Sequence, residues 1–263
     1  MPYVESEGAR IYWEEHGGGD PLLLVMGLGY SSDMWYRAVP ALSRRHRTIL
    51  FDNRGVGRSS APRGPYSISS MAGDAAAVLD AAGVESSNVY GISMGGMIAQ
   101  ELTLRHPHRV RSLILACTSC GGLEAVPASL EVIGVLYARA NMTPTDAFWA
   151  MARFVYDPST PRERIEEDLA VRVRTFPPAE SYMAQLQGVL AWHSYTRLHE
   201  IKAPTLIIHG ESDRLVPPEN GAILARAIEG ARLVPVPNAS HILLTDQPAF
   251  CNEAVLSFLE EAK

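Results

Sequence analysis

Asn88-Val89-Tyr90-Gly91-Ile92-Ser93-Met94-Gly95-Gly96 is the most informative segment of this 263-residue chain. Its first five residues predict a buried strand and residues 94–106 predict a helix, so Ser93 falls on a sharp turn between them. A turn this tight crowds the neighbours of the serine, which explains the glycines at positions 91 and 95. The pattern predicts a nucleophilic serine whose hydroxyl group is exposed where the strand ends.

Short apolar segments alternate with helix-length segments on both sides of this turn. Strands are expected at residues 22–26, 48–51, 88–92, 110–117, 205–209 and 233–236, and helices at 33–45, 68–82, 94–106, 218–227 and 249–261. This alternation predicts an α/β fold with a mainly parallel sheet and helices on both faces. The residues around Val4, Ile11 and Glu14 are expected to add an antiparallel hairpin at one edge.

The segment from 121 to 198 interrupts the alternation. It has no strand pattern, and its helical patterns are separated by Pro127, Pro144, Pro158, Pro161, Pro177 and Pro178. Such an insertion between two core strands predicts a helical cap over the edge of the sheet where open α/β sheets bind ligands. We therefore expect a core domain in two parts, residues 1–120 and 199–263, with the cap at 121–198.

A serine nucleophile needs a base that is held in the correct tautomer. Asp213 follows the strand 205–209, and His241 follows the strand 233–236, so both should lie at the same sheet edge as Ser93. The order Ser, Asp, His along the chain is typical of this arrangement. Asp246 is the nearest alternative carboxylate, but its position predicts a cap for the last helix.

The other histidines have less suitable positions. His209 closes a strand and is expected to be structural, whereas His193, in the inserted segment, is a weaker candidate for substrate contact.

A tetrahedral intermediate also needs two hydrogen-bond donors for its oxyanion. The backbone N–H groups of Met94 and of Leu28, in the flexible Gly27-Leu28-Gly29 segment, are the expected donors. An apolar substrate pocket would need large side chains near these groups. The candidates are Trp35, Trp149, Trp192 and Ile242.

Composition excludes several classes of partner. The net charge is −6 and no block of basic residues exists, so neither nucleic acid nor an anionic membrane is an expected partner. The three cysteines are too few for a disulfide framework, and Cys117-x-x-Cys120 lacks the further ligands of a zinc site. The first residues carry no signal-peptide pattern, which favours a cytoplasmic location. We expect a small-molecule substrate and no metal or organic cofactor; nothing in the sequence predicts the oligomeric state.

These motifs together resemble the α/β-hydrolase superfamily. They are Met26 to Gly29 with Trp35, the segment from Asp52 to Ser59, the Ser93 turn, the Asp213 loop and His241, in that order. The most similar branch holds 3-oxoadipate enol-lactonases, carboxylesterases, cofactor-free haloperoxidases and C–C bond hydrolases. The resemblance covers the chain outside the inserted segment, and it departs from the family at Met26, where a histidine is common. Residues 52–59 are expected to form a structural loop.

The expected activity is hydrolysis of a carboxylic ester or lactone through an acyl-enzyme. A C–C bond hydrolase, a proline iminopeptidase and a perhydrolase or haloperoxidase would use the same three residues, and a small-molecule receptor with slow turnover is the non-enzymatic alternative. Helices usually place charged residues in solvent, so the charged side chains of the insertion are expected there. These are Arg139, Arg153, Arg172, Arg174, Glu131, Glu166 and Glu180. A pocket without counter-charges favours an uncharged substrate.

Overall fold

The computed structural model describes residues 2–262, and within that range eight strands form one sheet. The strands are β1 (Tyr3–Ser6), β2 (Ala9–His16), β3 (Asp20–Val25), β4 (His46–Phe51), β5 (Ser87–Ile92), β6 (Val110–Ala116), β7 (Thr205–Gly210) and β8 (Arg232–Val236). Their order across the sheet is β1-β2-β4-β3-β5-β6-β7-β8. The β1–β2 and β2–β4 pairings are antiparallel and the remaining pairings are parallel. The expected mainly parallel sheet and its antiparallel edge hairpin are confirmed.

Ten α-helices accompany the sheet within residues 2–262. They are α1 (Val39–Leu42), α2 (Ile68–Ala81), α3 (Met94–Arg105), α4 (Leu130–Ala138), α5 (Pro144–Val155), α6 (Arg162–Arg172), α7 (Ala179–Ala191), α8 (Glu219–Ala227), α9 (Leu243–Asp246) and α10 (Pro248–Glu261). Among these described helices, none has the length and apolar character needed to cross a membrane.

The prediction of one continuous helix at 33–45 is wrong. The structure has a 3-10 helix, Ser32–Arg37, followed by the short α1. Pro40 explains the break, because it has no N–H to donate to the carbonyl group of Tyr36 and its ring would clash with that carbonyl in a continuous helix.

The central strands are buried on both faces. In β3, Leu22 and Leu24 pack on one face with Trp35, while Leu23 and Val25 pack on the other. A strand covered on both sides needs apolar side chains at successive positions, which accounts for the uninterrupted apolar run of its sequence.

Four helices, α4 to α7, are inserted between β6 and β7, and we call them the inserted helices. Between Ala116 and Thr205 the structure has no strand, only an isolated bridge that joins Gly121 to His193. The inserted helices contact the loops at the carboxyl edge of the sheet. On α7, Gln185 accepts a hydrogen bond from Gly29 N–H and donates one to the carbonyl group of Arg54.

Residues 52–59 form a structural loop, as expected. The carboxylate of Asp52 accepts hydrogen bonds from the backbone N–H of Ser32 and from both the backbone N–H and the Nε of Arg58. Arg54 makes a bidentate pair with buried Asp74 on α2, at 2.7 Å for each bond. These contacts anchor the loop beside the β3 loop, which carries Leu28.

Candidate active site

Ser93 lies on the turn between β5 and α3 in a strained conformation, with φ 57° and ψ −122°. The two flanking glycines are sterically required. A Cβ atom at Gly91 would lie 2.2 Å from the carbonyl oxygen of Gly95, and one at Gly95 would lie 2.1 Å from that of Val25. The backbone is fixed by hydrogen bonds on both sides of the serine, since Ser93 N–H donates to Ala116 and the Thr118 hydroxyl donates to the Ser93 carbonyl group.

His241 and Asp213 form a buried pair, and His241 lines the same cavity as Ser93. Nδ1 of His241 lies 2.8 Å from Oδ2 of Asp213, and the other carboxylate oxygen accepts the backbone N–H groups of Leu215 and Val216. Burial alone would raise the pKa of Asp213, but the adjacent charge of His241 and hydrogen bonds from both His241 and His209 hold that pKa well below its usual range. The carboxylate therefore stays ionised and favours a proton on Nδ1 of His241, which leaves Nε2 free to accept one.

His209 has the structural environment expected of it. Its Nε2 lies 2.8 Å from the carbonyl oxygen of Val216 and 3.5 Å from Oδ2 of Asp213. A carbonyl oxygen can only accept a hydrogen bond, so Nε2 carries the proton and braces the Asp213 loop.

Asp246 does not cap the last helix, so that expectation is wrong. Helix α10 has no side-chain cap. Instead, the Asp246 carboxylate accepts hydrogen bonds from the backbone N–H of Ser240, at 2.7 Å, and from the hydroxyl group of Thr160. Burial raises the pKa of Asp246 to about 6. Asp246 thus ties the loop that carries His241 to the segment between α5 and α6.

A cavity of about 470 Å³ is lined both by loops at the carboxyl edge of the sheet and by the inserted helices. Ser93 and His241 line it together with Leu28, Met94 and Ile242. A Cβ atom at Gly27 would lie 3.1 Å from that of Ser93, so the β3 loop directly adjoins the serine. Within residues 2–262, the backbone N–H groups of Leu28 and Met94 donate no hydrogen bond. Both donors thus remain available to a bound group.

The three candidate tryptophans lie away from this cavity. Trp35 is completely buried in the core, with its ring centroid 4.9 Å from that of Tyr90. Trp192 is also buried and donates its indole N–H to Glu101. Trp149 packs among the inserted helices. Of the four candidate substrate-binding residues, only Ile242 lines the cavity. His193 is exposed and does not line it either.

Two arginines of the inserted segment contradict the expectation that its charges lie in solvent. Arg139, in the 3-10 turn after α4, is 4% exposed and lines the cavity, and Arg172, at the end of α6, is 5% exposed. The remaining charged candidates, Arg153, Arg174, Glu131, Glu166 and Glu180, are exposed as expected. The apolar sequence of α4 gave no reliable signal for Arg139, because Val132 is the only fully buried residue of that helix. The polar sequence of α6 offered no such signal for Arg172.

One group of side chains has the composition of a metal site. Potential ligand atoms of Cys117, His209 and Asp213 lie within 4.8 Å of one another, and all three residues are buried. Burial and the nearby Asp213 charge raise the pKa of the Cys117 thiol well above its usual value, so it is protonated. Both oxygens of Asp213 are already engaged by His241 and the backbone. These properties fit a hydrogen-bonded cluster that supports the Asp213 loop, since a thiol must ionise to bind a metal.

Comparison with known proteins identifies the family. Residues 20–132 match the family model described as alpha/beta hydrolase fold, and residues 185–263 match the one described as TAP-like protein. The RutD protein of Azorhizobium caulinodans, provisionally named a carbamate hydrolase, is 36% identical, and the alignment covers 99% of each chain. The chain belongs to the α/β-hydrolase superfamily.

Solved structures agree with this assignment. The enol-lactonase from Burkholderia xenovorans superimposes with a TM-score of 0.85 at 29% identity, covering 98% of this chain and 100% of the other. Est816, described as an N-acyl homoserine lactone degrading enzyme, gives 0.84 at 31% identity with the same coverage. The fold and the names of these relatives support a hydrolase activity.

Proposed function

We propose that this protein is a serine hydrolase that cleaves a carboxylic ester or a lactone through an acyl-enzyme. Ser93 would be the nucleophile, His241 the general base and Asp213 the group that orients the histidine. The observation that carries this proposal is the buried Asp213–His241 hydrogen bond beside a cavity that Ser93 also lines. A serine, a histidine and an ionised carboxylate in this order are sufficient for acyl transfer.

The proposed reaction has two halves. The Ser93 hydroxyl oxygen attacks the substrate carbonyl carbon while Nε2 of His241 takes the hydroxyl proton, and the N–H groups of Leu28 and Met94 stabilise the oxyanion. The ester C–O bond then breaks, and His241 returns the proton to the leaving oxygen. In the second half, water attacks the acyl-enzyme with the same base, which releases the acid and regenerates Ser93. In a lactone, the leaving oxygen stays attached to the acid product.

In this proposal the inserted helices form a cap, assigned to residues 121–198, that roofs the cavity. Their contacts with the β3 and β4 loops through Gln185 support this role, because they hold the roof against the catalytic edge. A roofed site excludes bulk water and strengthens the electrostatic interactions of the reaction.

The cavity lining also bears on the alternatives. Among the described residues that line it, none is an aspartate or a glutamate. The free ammonium group of a prolyl peptide would be buried there without a counter-charge, at a cost of several kcal/mol. This disfavours a proline iminopeptidase. C–C bond hydrolysis and perhydrolysis place no such cation in the pocket and are left to experiment.

A substrate panel tests the proposal. It contains an aryl butyrate, a lactone, an aryl carbamate, a vinylogous diketone and a prolyl arylamide, each assayed with the wild type and with Ser93→Ala. We expect the butyrate or the lactone to give the highest kcat/KM, and mass spectrometry of the quenched reaction to show an acyl group on Ser93. Faster cleavage of the arylamide would contradict the proposal, and ligand-induced stabilisation without turnover would indicate a receptor.

A further inference from the structure

Two buried arginines near the cavity have no acidic partner. In Arg139 the Nε and Nη2 atoms have no hydrogen-bond partner, and in Arg172 the same holds for Nη1 and Nη2. Within residues 2–262 neither side chain forms an ion pair with a carboxylate. Buried charges are normally paired, because an unpaired one loses its hydration without compensation.

Aromatic rings surround both guanidinium groups without satisfying them. The Arg172 guanidinium carbon lies 3.8 Å from the ring centroid of Tyr30, and that of Arg139 lies 5.0 Å from the ring centroid of Tyr182. A ring face attracts a cation but does not accept the N–H groups that point outward in the guanidinium plane. Arg139 itself lines the cavity, and so does Tyr30, behind which Arg172 lies. Arg139 therefore borders the cavity, and Arg172 packs against a residue that borders it.

The two positive charges also destabilise each other. Burial, together with the nearby charge of Arg172, lowers the pKa of Arg139. A guanidinium group nevertheless stays protonated in proteins, so the repulsion persists in the unliganded site. A bound anion would relieve it and would supply the missing acceptors.

We propose that Arg139, reinforced by Arg172 behind Tyr30, forms a subsite that binds a free carboxylate group carried by the substrate. This rests on the proposed hydrolase function and narrows its substrate class to half-esters of dicarboxylic acids or to lactones with a carboxylate side chain. A planar guanidinium matches a carboxylate with two parallel hydrogen bonds. Ser93 follows β5 and Arg139 lies between α4 and α5, and both residues line the same cavity. The cavity size, about 470 Å³, suits a small ligand of this kind.

A matched pair of substrates tests the subsite. Mono-4-nitrophenyl glutarate and 4-nitrophenyl pentanoate have the same acyl chain length and differ in a terminal carboxylate against a methyl group. After subtraction of the non-enzymatic rate, we expect the wild type to favour the glutarate at least about tenfold in kcat/KM. Arg139→Met should lower kcat/KM for the glutarate on the order of 30-fold more than it lowers kcat/KM for the pentanoate. Arg139→Lys keeps the charge but loses the planar pair of donors. Its ratio of kcat/KM for the glutarate to that for the pentanoate should lie between the ratios of the wild type and of Arg139→Met.

Arg153→Met is the matched control, because Arg153 is an exposed arginine of α5 that pairs with Glu131. It should leave the ratio of the two substrates unchanged. Equal kcat/KM values for the two substrates in the wild type, or an equal loss on both in Arg139→Met, would overturn the subsite. Should Arg139→Met fail to fold, the wild-type ratio and the Arg139→Lys variant still decide the question.

A binding measurement separates this proposal from the proposed function. In Ser93→Ala, glutarate should raise the melting temperature more than pentanamide does at matched ionic strength, and the further change Arg139→Lys should reduce that shift. A glutarate shift in a protein that hydrolyses no ester would support the subsite and contradict the hydrolase. Ester hydrolysis without a glutarate shift would support the hydrolase and contradict the subsite.

Discussion

Nδ1 of His241 lies 2.8 Å from Oδ2 of Asp213, although the two residues belong to different loops and are 28 positions apart. Each residue is only 3% exposed. The Asp213 loop follows β7 and the His241 loop follows β8, and these strands are neighbours in the parallel sheet. The pairing of β7 with β8 therefore sets the position of the imidazole ring.

Asp213→Asn should reduce kcat on the order of 10³- to 10⁴-fold with little change in KM, because an amide cannot hold the histidine in the productive tautomer or stabilise the imidazolium. Steady-state kinetics on an aryl ester would measure the loss. Glu211→Gln, two residues away and exposed, is the matched control and should retain wild-type kcat. A variant of Asp213 with normal kcat would show that another group orients His241.

Ser93→Ala should reduce kcat by about 10³-fold or more, and Ser93→Ala combined with His241→Ala should lose hardly more than either single variant. The reason is that the two residues act together, so either single substitution already removes the rate enhancement that the pair provides. Kinetics of the two single variants and the double variant would establish the non-additivity. Ser257→Ala, an exposed serine on α10, serves as the control. Additive losses would argue that the two residues act independently.

Gly91→Ala should destabilise the fold by about 3 kcal/mol or more, because the added methyl group would lie 2.2 Å from the carbonyl oxygen of Gly95 and force the turn apart. Gly134→Ala is the matched control, since Gly134 is an exposed residue of α4 with nothing within 4 Å of an added Cβ atom. It should stabilise the protein by up to about 1 kcal/mol through helix propensity. Urea denaturation of both variants would measure the difference, and similar stabilities would contradict the steric argument.

Asp246→Asn should change the pH dependence of stability. Burial raises the pKa of Asp246 from 3.8 to about 6, so the folded protein binds this proton more tightly than the unfolded chain does. The group therefore favours folding most at low pH, and that contribution is lost as the pH rises from about 4 through 6. The free energy of unfolding of the wild type, relative to Asp246→Asn, should fall across this range and level off above it. Urea denaturation at four pH values would test this, and a rising difference would contradict the raised pKa.

Much of the candidate active site could be predicted from the sequence because its signals are local. The turn around Ser93 depends on Gly91 and Gly95, which adjoin it in the chain. The strands were recognisable as short apolar segments, and their expected parallel direction then placed the Asp213 and His241 loops at the same edge as Ser93. Pro40 was also a local signal, since a proline interrupts a helix, but the predicted helix at 33–45 did not take it into account.

The sequence by itself thus determined the individual strands, the serine turn and the loops that bear the acid and the histidine, since each depends on residues close together in the chain. The alternation of strands with helices indicated that the sheet is mainly parallel. Only the tertiary structure decided the direction of individual side chains. Trp35 fills the core, Asp246 joins the His241 loop to the inserted segment, and Arg139 faces the cavity. These directions depend on contacts between segments far apart in sequence, such as Asp246 with Thr160, 86 positions away. A residue's type and its local periodicity carry no information about which distant surface will cover it.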